Sequence, residues 1–133
     1  MSPDQRWVGI DAAGPDEFTG GYPFHRAFHA AELAEAILVA EEDIPDAAAL
    51  VWSVKEAAVK ALGCGFWRLD PLDIRVTPGA GDLRNTALVK LQGRSLERYP
   101  IMEEKATTVL TIREHGAWVS LALVDPCSRL SGT

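Results

Sequence analysis

Cysteine is scarce in this chain: Cys64 and Cys127 are the only two thiols in 133 residues. Two are too few for the disulfide frameworks that hold small secreted domains together. They also lack metal-ligand spacing, so both read as reduced thiols. No apolar run approaches the ~20 residues that a bilayer-spanning helix requires. Met1 to Arg6 carries no basic-then-apolar signal pattern, so no membrane is expected and the cytoplasm is the expected location. Basic charge is in deficit too, with thirteen Lys and Arg against nineteen Asp and Glu, a net charge of −6. Such a surface repels phosphate backbones, which argues against a nucleic-acid partner. Internal repeats and low-complexity tracts are absent.

What is present is ordinary globular material. Apolar residues make up 47 % and charged residues 24 %, enough for one domain with its own core. Arg6 to Asp11 (Arg-Trp-Val-Gly-Ile-Asp) reads as a short buried strand ending on a carboxylate, and Gly14 to Pro23 as a loop. Ala30 to Glu42 reads as an amphipathic helix with Leu33, Ala34, Ile37 and Leu38 inward and Glu32, Glu35, Glu41 and Glu42 outward. Pro45 and Asp46 mark the next helix start, with Asp46 as the expected cap, and Gly63 marks its end after Leu62. Asp73 to Thr77, Thr86 to Leu91, Thr107 to Arg113 and Ala117 to Val124 read as strands, with turns at Gly79 to Asp82 and at Glu114-His115-Gly116. The order predicts an α+β domain over residues 1–126, an antiparallel sheet packed by two or more helices, with a polar tail over 127–133.

The second helix carries the chemistry. Val51, Val54, Ala58, Ala61 and Leu62 share one side and are expected in the core. Trp52, Glu56 and Lys60 form another row, one residue per turn, with Lys55 beside it. A carboxylate one turn before an ammonium, next to a large aromatic, is equipped to hold a divalent cation and clamp a phosphate. Taken alone, the same row also reads as a solvated Glu-to-Lys pair worth roughly 0.2–0.5 kcal/mol.

The wider string, Trp52-Ser53-Val54-Lys55-Glu56-Ala57-Ala58-Val59-Lys60-Ala61-Leu62-Gly63-Cys64-Gly65, resembles the signature helix of the 4′-phosphopantetheinyl transferases. In that family an aromatic, Lys-Glu-Ala and a second Lys precede a Gly-x-Gly turn, and a strand reading Gly-Ile-Asp comes earlier. Here Gly9-Ile10-Asp11 supplies the strand, and Leu72-Asp73-Ile74-Arg75-Val76 looks like the strand that follows the helix. The resemblance spans about residues 7 to 124.

The resemblance implies transfer of the phosphopantetheine arm of coenzyme A to a serine of an acyl or peptidyl carrier protein, with release of 3′,5′-ADP, in fatty-acid, polyketide or peptide synthesis. It implies magnesium held between Asp11 and Glu56, with Lys60 on a phosphate oxygen, Lys55 assisting, and Glu56 helping to remove the serine proton. Backbone at Gly63 and Gly65 would lie close to the coenzyme. In length the chain is similar to the short, holo-acyl-carrier-protein synthase members, which assemble as trimers, whereas the wording of its helix looks more like the surfactin type. A homo-oligomer is expected, a trimer first.

The chain departs from the pattern in places. Ala13 stands where the long type has a second acid, Val51 where short members often carry arginine, and Leu110-Thr111-Ile112-Arg113 where the family shows Ser-x-Ser-His. Arg113 is a candidate phosphate ligand in place of that histidine. A basic docking patch for an acidic carrier would have to come from Arg26, Arg68, Arg94 and Arg98. These departures keep open a non-catalytic member that binds coenzyme A or a carrier or synthase partner as a scaffold, or one domain of a larger synthase. His25, His29 and Glu32 have zinc-like spacing only if that stretch is helical, and Pro23-Phe24 argues against it. Trp7, Trp67 and Trp118 read as core or oligomer contacts, and Ser53 and Ser120 as poor nucleophiles.

Overall fold

A computed structural model of the chain describes residues 7–40, 43–62, 70–79, 85–93 and 107–124. Five strands and two helices form the frame: β1 (Trp7–Ala13), α1 (Ala30–Ala40), α2 (Ile44–Ala61), β2 (Ile74–Pro78), β3 (Thr86–Leu91), β4 (Thr107–Glu114) and β5 (Ala117–Val124). The strands make one sheet in the order β1-β5-β4-β3-β2, with every neighbouring pair antiparallel. Both helices lie on one face, so the α+β architecture is as the sequence pattern predicts. No helix among the described residues is long and apolar enough to cross a membrane.

Alternation along the strands decides which side chains meet the helices. Gly9, Asp11 and Ala13 of β1 pair with Ala122, Ser120 and Trp118 of β5 and share the helix-facing side. Val76, Ala87, Val89 and Val109 continue that side into a closed core. Among the described residues no helix lies on the opposite side. Val8, Ile10, Leu88, Leu110, Ile112 and Leu123 stand on it with 41–57 % of their surface exposed.

α2 lies against β1 more tightly than side chains normally permit. A Cβ on Gly9 would sit 1.9 Å from the Ala57 carbonyl oxygen and 2.5 Å from the Ala61 nitrogen, so only glycine allows this approach. Ala57, Ala58 and Ala61 are the complementary small residues on the helix, all buried. The hydroxyls of Ser53 and Ser120 meet at 2.7 Å and stitch α2 to β5.

Several boundaries differ from the sequence reading. β1 runs two residues past Asp11, because Ala12 and Ala13 continue the pairing with β5. Asp43, not Asp46, caps α2, its carboxylate accepting from the Asp46 N–H at 3.1 Å. The stretch after β1 contains a 3-10 turn at Pro15–Phe18, closed by the Glu17 carboxylate accepting from the Gly14 N–H. Asp73 belongs to a 3-10 turn before β2. β4 and β5 are joined by His115 and Gly116, both at positive φ, the geometry of a tight two-residue hairpin. The expected turn at Gly79 to Asp82, and residues 41–42 at the end of the first predicted helix, lie largely outside the described residues.

The largest correction concerns α1. Glu32, read as an outward residue, is fully buried, whereas Leu38, read as inward, is 79 % exposed. The Glu32 carboxylate accepts from the His29 N–H at 2.8 Å and from the Val76 N–H at 2.7 Å, and pairs with Lys55 at 2.9 Å. The helix is rotated by these partners, which no amphipathicity count registers.

Replacing Gly9 by Ala is expected to cost at least about 3 kcal/mol, beyond ordinary overpacking, because the clash is with backbone. Urea denaturation of Gly9→Ala measures this, and a stability equal to the parent's would refute the close approach.

Candidate functional site

From Asp46 to Leu62, α2 is buried at every position except Trp52, Glu56 and Lys60. One row, one residue per turn, is therefore all that this part of the helix shows to solvent. A solvated charged face is broad, whereas this row is a narrow opening in an otherwise sealed helix.

Asp11 reaches the row from β1. Lys60 donates to the Asp11 carboxylate at 2.7 Å and to the Ile10 carbonyl at 3.3 Å. The Lys60 side chain is 52 % exposed and that of Asp11 10 %, so the pair sits at the rim of a shielded spot. Lys60 is pushed above its ordinary value, chiefly by its hydrogen bond to Asp11. Glu56 interacts with the same Asp11 carboxyl. Burial first, then the Asp11 carboxyl, push Glu56 up to about 7, while Lys60 and a hydrogen bond from Trp52 pull it down. Two acidic groups from distant parts of the chain are thus held together with a single lysine for compensation among their named partners.

An aromatic wall flanks the carboxylates. Trp52 packs edge-on against Phe18 and Phe28, with centroids 6.4 and 6.1 Å away. Tyr22 packs on Phe18 at 4.9 Å. Its phenol is raised by burial and by the Glu17 and Glu56 carboxylates, which places it on the Glu56 side of the cluster. The sequence reading did not single out Tyr22 or Phe18. The string Phe18…Tyr22…Phe24…Phe28 was the available signal, but its spacing follows no helix or strand period.

Not every predicted site residue joins this group. Lys55 is completely buried and its three ammonium protons all have acceptors: the Ala27 carbonyl at 2.7 Å, the Pro71 carbonyl at 2.8 Å and Glu32 at 2.9 Å. Its ammonium also sits 5.5 Å from the centre of the Phe28 ring. Sealed in this way, Lys55 is not placed to assist with a phosphate, contrary to the sequence expectation. Desolvation lowers its proton affinity and Glu32 partly restores it.

Arg113 lies at the other end of α2. Its guanidinium pairs with Asp46 and stacks 4.7 Å from the centre of the Trp118 ring, whose indole N–H donates to the same Asp46 carboxylate at 3.3 Å. Asp46 and Glu56 are ten residues apart, about 15 Å along a helix, so the structure does not bring Arg113 to the carboxylate pair. Ala13 and Val51, two of the departures from the family pattern, are core positions here. Gly63 and Gly65 lie outside the described residues, as do Arg68, Arg94 and Arg98; Arg26 is exposed on the 3-10 turn at Phe24–Arg26. His25 is exposed on that turn, His29 precedes α1 and Glu32 is bound to Lys55, so they form no zinc site.

Among the described residues no three His, Cys, Asp or Glu side chains gather as a metal cage. Two carboxylates are nonetheless the donor set that magnesium takes when substrate phosphates supply the remaining oxygens. The mutual repulsion of Asp11 and Glu56 is what such a cation would relieve, so the residues fit it.

Comparison with known proteins agrees with this fold. The model of the 4′-phosphopantetheinyl transferase superfamily matches residues 8–109, and the chain belongs to that superfamily. A comparison with curated proteins finds no match. Among solved structures, the fold is similar to the Chronobacterium ammoniagenes holo-acyl-carrier-protein synthase in its coenzyme A complex, with TM-score 0.67, 18 % identity, and 91 % of this chain and 97 % of that one covered. The Helicobacter pylori holo-[acyl-carrier-protein] synthase in complex with coenzyme A gives TM-score 0.64 at 18 % identity, over 88 % of this chain and 98 % of that one. The Mycobacterium tuberculosis acyl carrier protein synthase gives TM-score 0.59 at 22 % identity, over 88 % and 94 %.

Two outcomes follow from the site as built. Lys55→Ala strands the Glu32 charge in the core and is expected to cost about 3–5 kcal/mol. Urea denaturation checks this; a mild Lys55→Ala would mean that the pair is not buried. Glu56 titrates near 4.5 when free and about 7 in the fold. A raised folded value adds stability that is full below the free value and lost as pH rises through about 7. Metal-free Glu56→Gln should therefore gain on the parent above pH ~7 by about 1 kcal/mol, solvent screening allowed for, and not at pH ~4. Melting curves at the two pH values decide it, and an unchanged gap removes the repulsion.

Proposed function

We propose that the chain is a magnesium-dependent 4′-phosphopantetheinyl transferase of the holo-acyl-carrier-protein synthase type. It moves the phosphopantetheine arm of coenzyme A to a serine of an acyl or peptidyl carrier protein and releases 3′,5′-ADP. The observation that carries this reading is the meeting of Asp11 and Glu56 beside Lys60 on the one row of α2 open to solvent.

In this mechanism Asp11 and Glu56 hold magnesium. The ion, when bound, supplies positive charge that draws electrons from the pyrophosphate and eases in-line displacement. Lys60 would turn its ammonium from Asp11 to a phosphate oxygen. The serine oxygen bonds to the phosphorus that bears pantetheine, and the bond from that phosphorus to the bridging oxygen of 3′,5′-ADP breaks. A Glu56 oxygen takes the serine proton as general base. The aromatic wall of Tyr22 and Trp52 keeps water from one side of the carboxylates.

The apolar face of the sheet, which no helix covers among the described residues, favours a homo-oligomer, a trimer first. Six large apolar side chains standing half-open on one surface are more than a soluble monomer normally shows. A member that binds coenzyme A without transferring its arm is the second reading, favoured by Arg113, which is tied to Asp46 in place of the family histidine.

One experiment addresses these readings. The protein is incubated with coenzyme A, magnesium and several apo carrier proteins, and the carriers are weighed by mass spectrometry. Gain of the phosphopantetheine mass on the parent's carrier, and a drop of about 10³-fold or more with Glu56→Gln, are expected. Coenzyme A binding without any mass gain would select the second reading. Sedimentation of the same sample at micromolar concentration should give a trimer, and a monomer would end the oligomer reading.

A further inference from the structure

We propose that Lys60 holds the divalent-cation position at Asp11 with its own ammonium, so that metal and coenzyme A enter the site together. The proposal rests on the metal-site reading above and adds a rule for how that site fills.

The Lys60 ammonium takes two oxygens of β1. It donates to Asp11 Oδ1 at 2.7 Å and to the Ile10 carbonyl at 3.3 Å. Among the described residues β1 is an outermost strand, paired with β5 alone, which leaves oxygens along its edge open to a side-chain donor. Glu56 stands one turn before Lys60 on the same row, at the i, i+4 spacing that brings Glu and Lys side chains together. The ammonium therefore sits among carboxylate and carbonyl oxygens, the donor types that magnesium and manganese take.

Charge makes the two occupants exclusive. With Glu56 ionised, two carboxylates and one ammonium leave a single negative charge. Once the ammonium departs, two remain, which is what a divalent cation neutralises. Held on one carboxylate together, the ammonium and the metal would repel at close range.

Burial decides which partner yields. The Asp11 side chain is 10 % exposed and comes from a strand, whereas that of Lys60 is 52 % exposed on a flexible stem. The hydrogen bond to Asp11 tightens the hold of Lys60 on its proton, so the amine leaves as a cation. A half-exposed ion pair is weak and open to exchange. The pyrophosphate of coenzyme A offers the ammonium another anion and adds oxygens for the metal. Each ligand thus favours the other, and the coupling is reciprocal.

The test is a calorimetric Mn²⁺ titration of the intact protein at pH ~8, where Glu56 is ionised, with and without saturating coenzyme A. Lys60→Met keeps the stem and removes the charge, whereas Lys60→Arg keeps a charge. Without coenzyme A, Lys60→Met is expected to bind Mn²⁺ about 10-fold or more tightly than the parent, and Lys60→Arg as weakly as the parent. The gain should persist in about 0.5 M KCl, where a Debye length of ~4 Å screens a neighbouring charge but not one on the same oxygen. The factor by which coenzyme A strengthens Mn²⁺ binding should fall about 10-fold in Lys60→Met.

A lysine that only clamps phosphate leaves coenzyme-free Mn²⁺ affinity unchanged in Lys60→Met, and that result overturns the proposal. So does a gain that high salt abolishes. Should Lys60→Met not fold, Lys60→Gln answers through the same titration. Mn²⁺ binding to the parent with coenzyme A, combined with no gain in Lys60→Met, refutes this proposal alone. Absence of Mn²⁺ binding in every form removes the metal-site reading along with it.

Discussion

Everything at the carboxylate pair depends on how closely α2 can approach β1 at Gly9. The Ala57 carbonyl and the Ala61 nitrogen occupy the space where any other residue would carry a Cβ. Once helix and strand touch there, Asp11, two residues along the same face of the strand, and Glu56, the neighbour of Ala57, have little choice but to converge. The glycine of Gly-Ile-Asp and the alanine of Lys-Glu-Ala thus set how close the two acids come.

The second constraint is the buried ion pair. Lys55 and Glu32 join five segments in one network: α2, α1, the turn before α1, the segment before β2, and β2 itself through the Val76 N–H. A buried pair with all its hydrogen bonds made is weak evidence for added stability, since an apolar replacement often serves as well. What it does supply is a unique seating for α1, whose apolar content alone would leave its rotation underdetermined. The mean strand alternation and the small residues of α2 fix the sheet–helix layer, and the pair fixes the remaining helix on top of it.

Much of this was legible in the chain itself. The bounds of β3 and β5 are legible because Thr86–Leu91 and Ala117–Val124 are short, largely apolar runs. The Trp52–Glu56–Lys60 row was visible from spacing, and Asp11 from the Gly-Ile-Asp resemblance. The failures have a common cause: charge was equated with solvent. Glu32 was assigned outward although it stands three residues after His29, the spacing at which a helix's third residue reaches back to cap its own start. Lys55, read as lying beside the Glu56–Lys60 row and assisting there, is five residues from Lys60 and on a different azimuth that faces the core. Asp46 was read as a cap, when Asp43 lies one residue outside the helix and Asp46 belongs to its first turn. Contacts with Arg113 and Trp118, nearly seventy residues later in the chain, could not be foreseen from local pattern.

The two lysines of α2 also differ as nucleophiles, in opposite senses that cancel. Lys55 has the weaker hold on its proton, and so the more available lone pair, but no electrophile can reach it through the core. Lys60 is open to reagents, yet Asp11 binds its proton more tightly and keeps the amine in its unreactive form. Acylating probes should therefore mark both slowly, for unrelated reasons, and silence toward such a probe says nothing here about which amine is hidden.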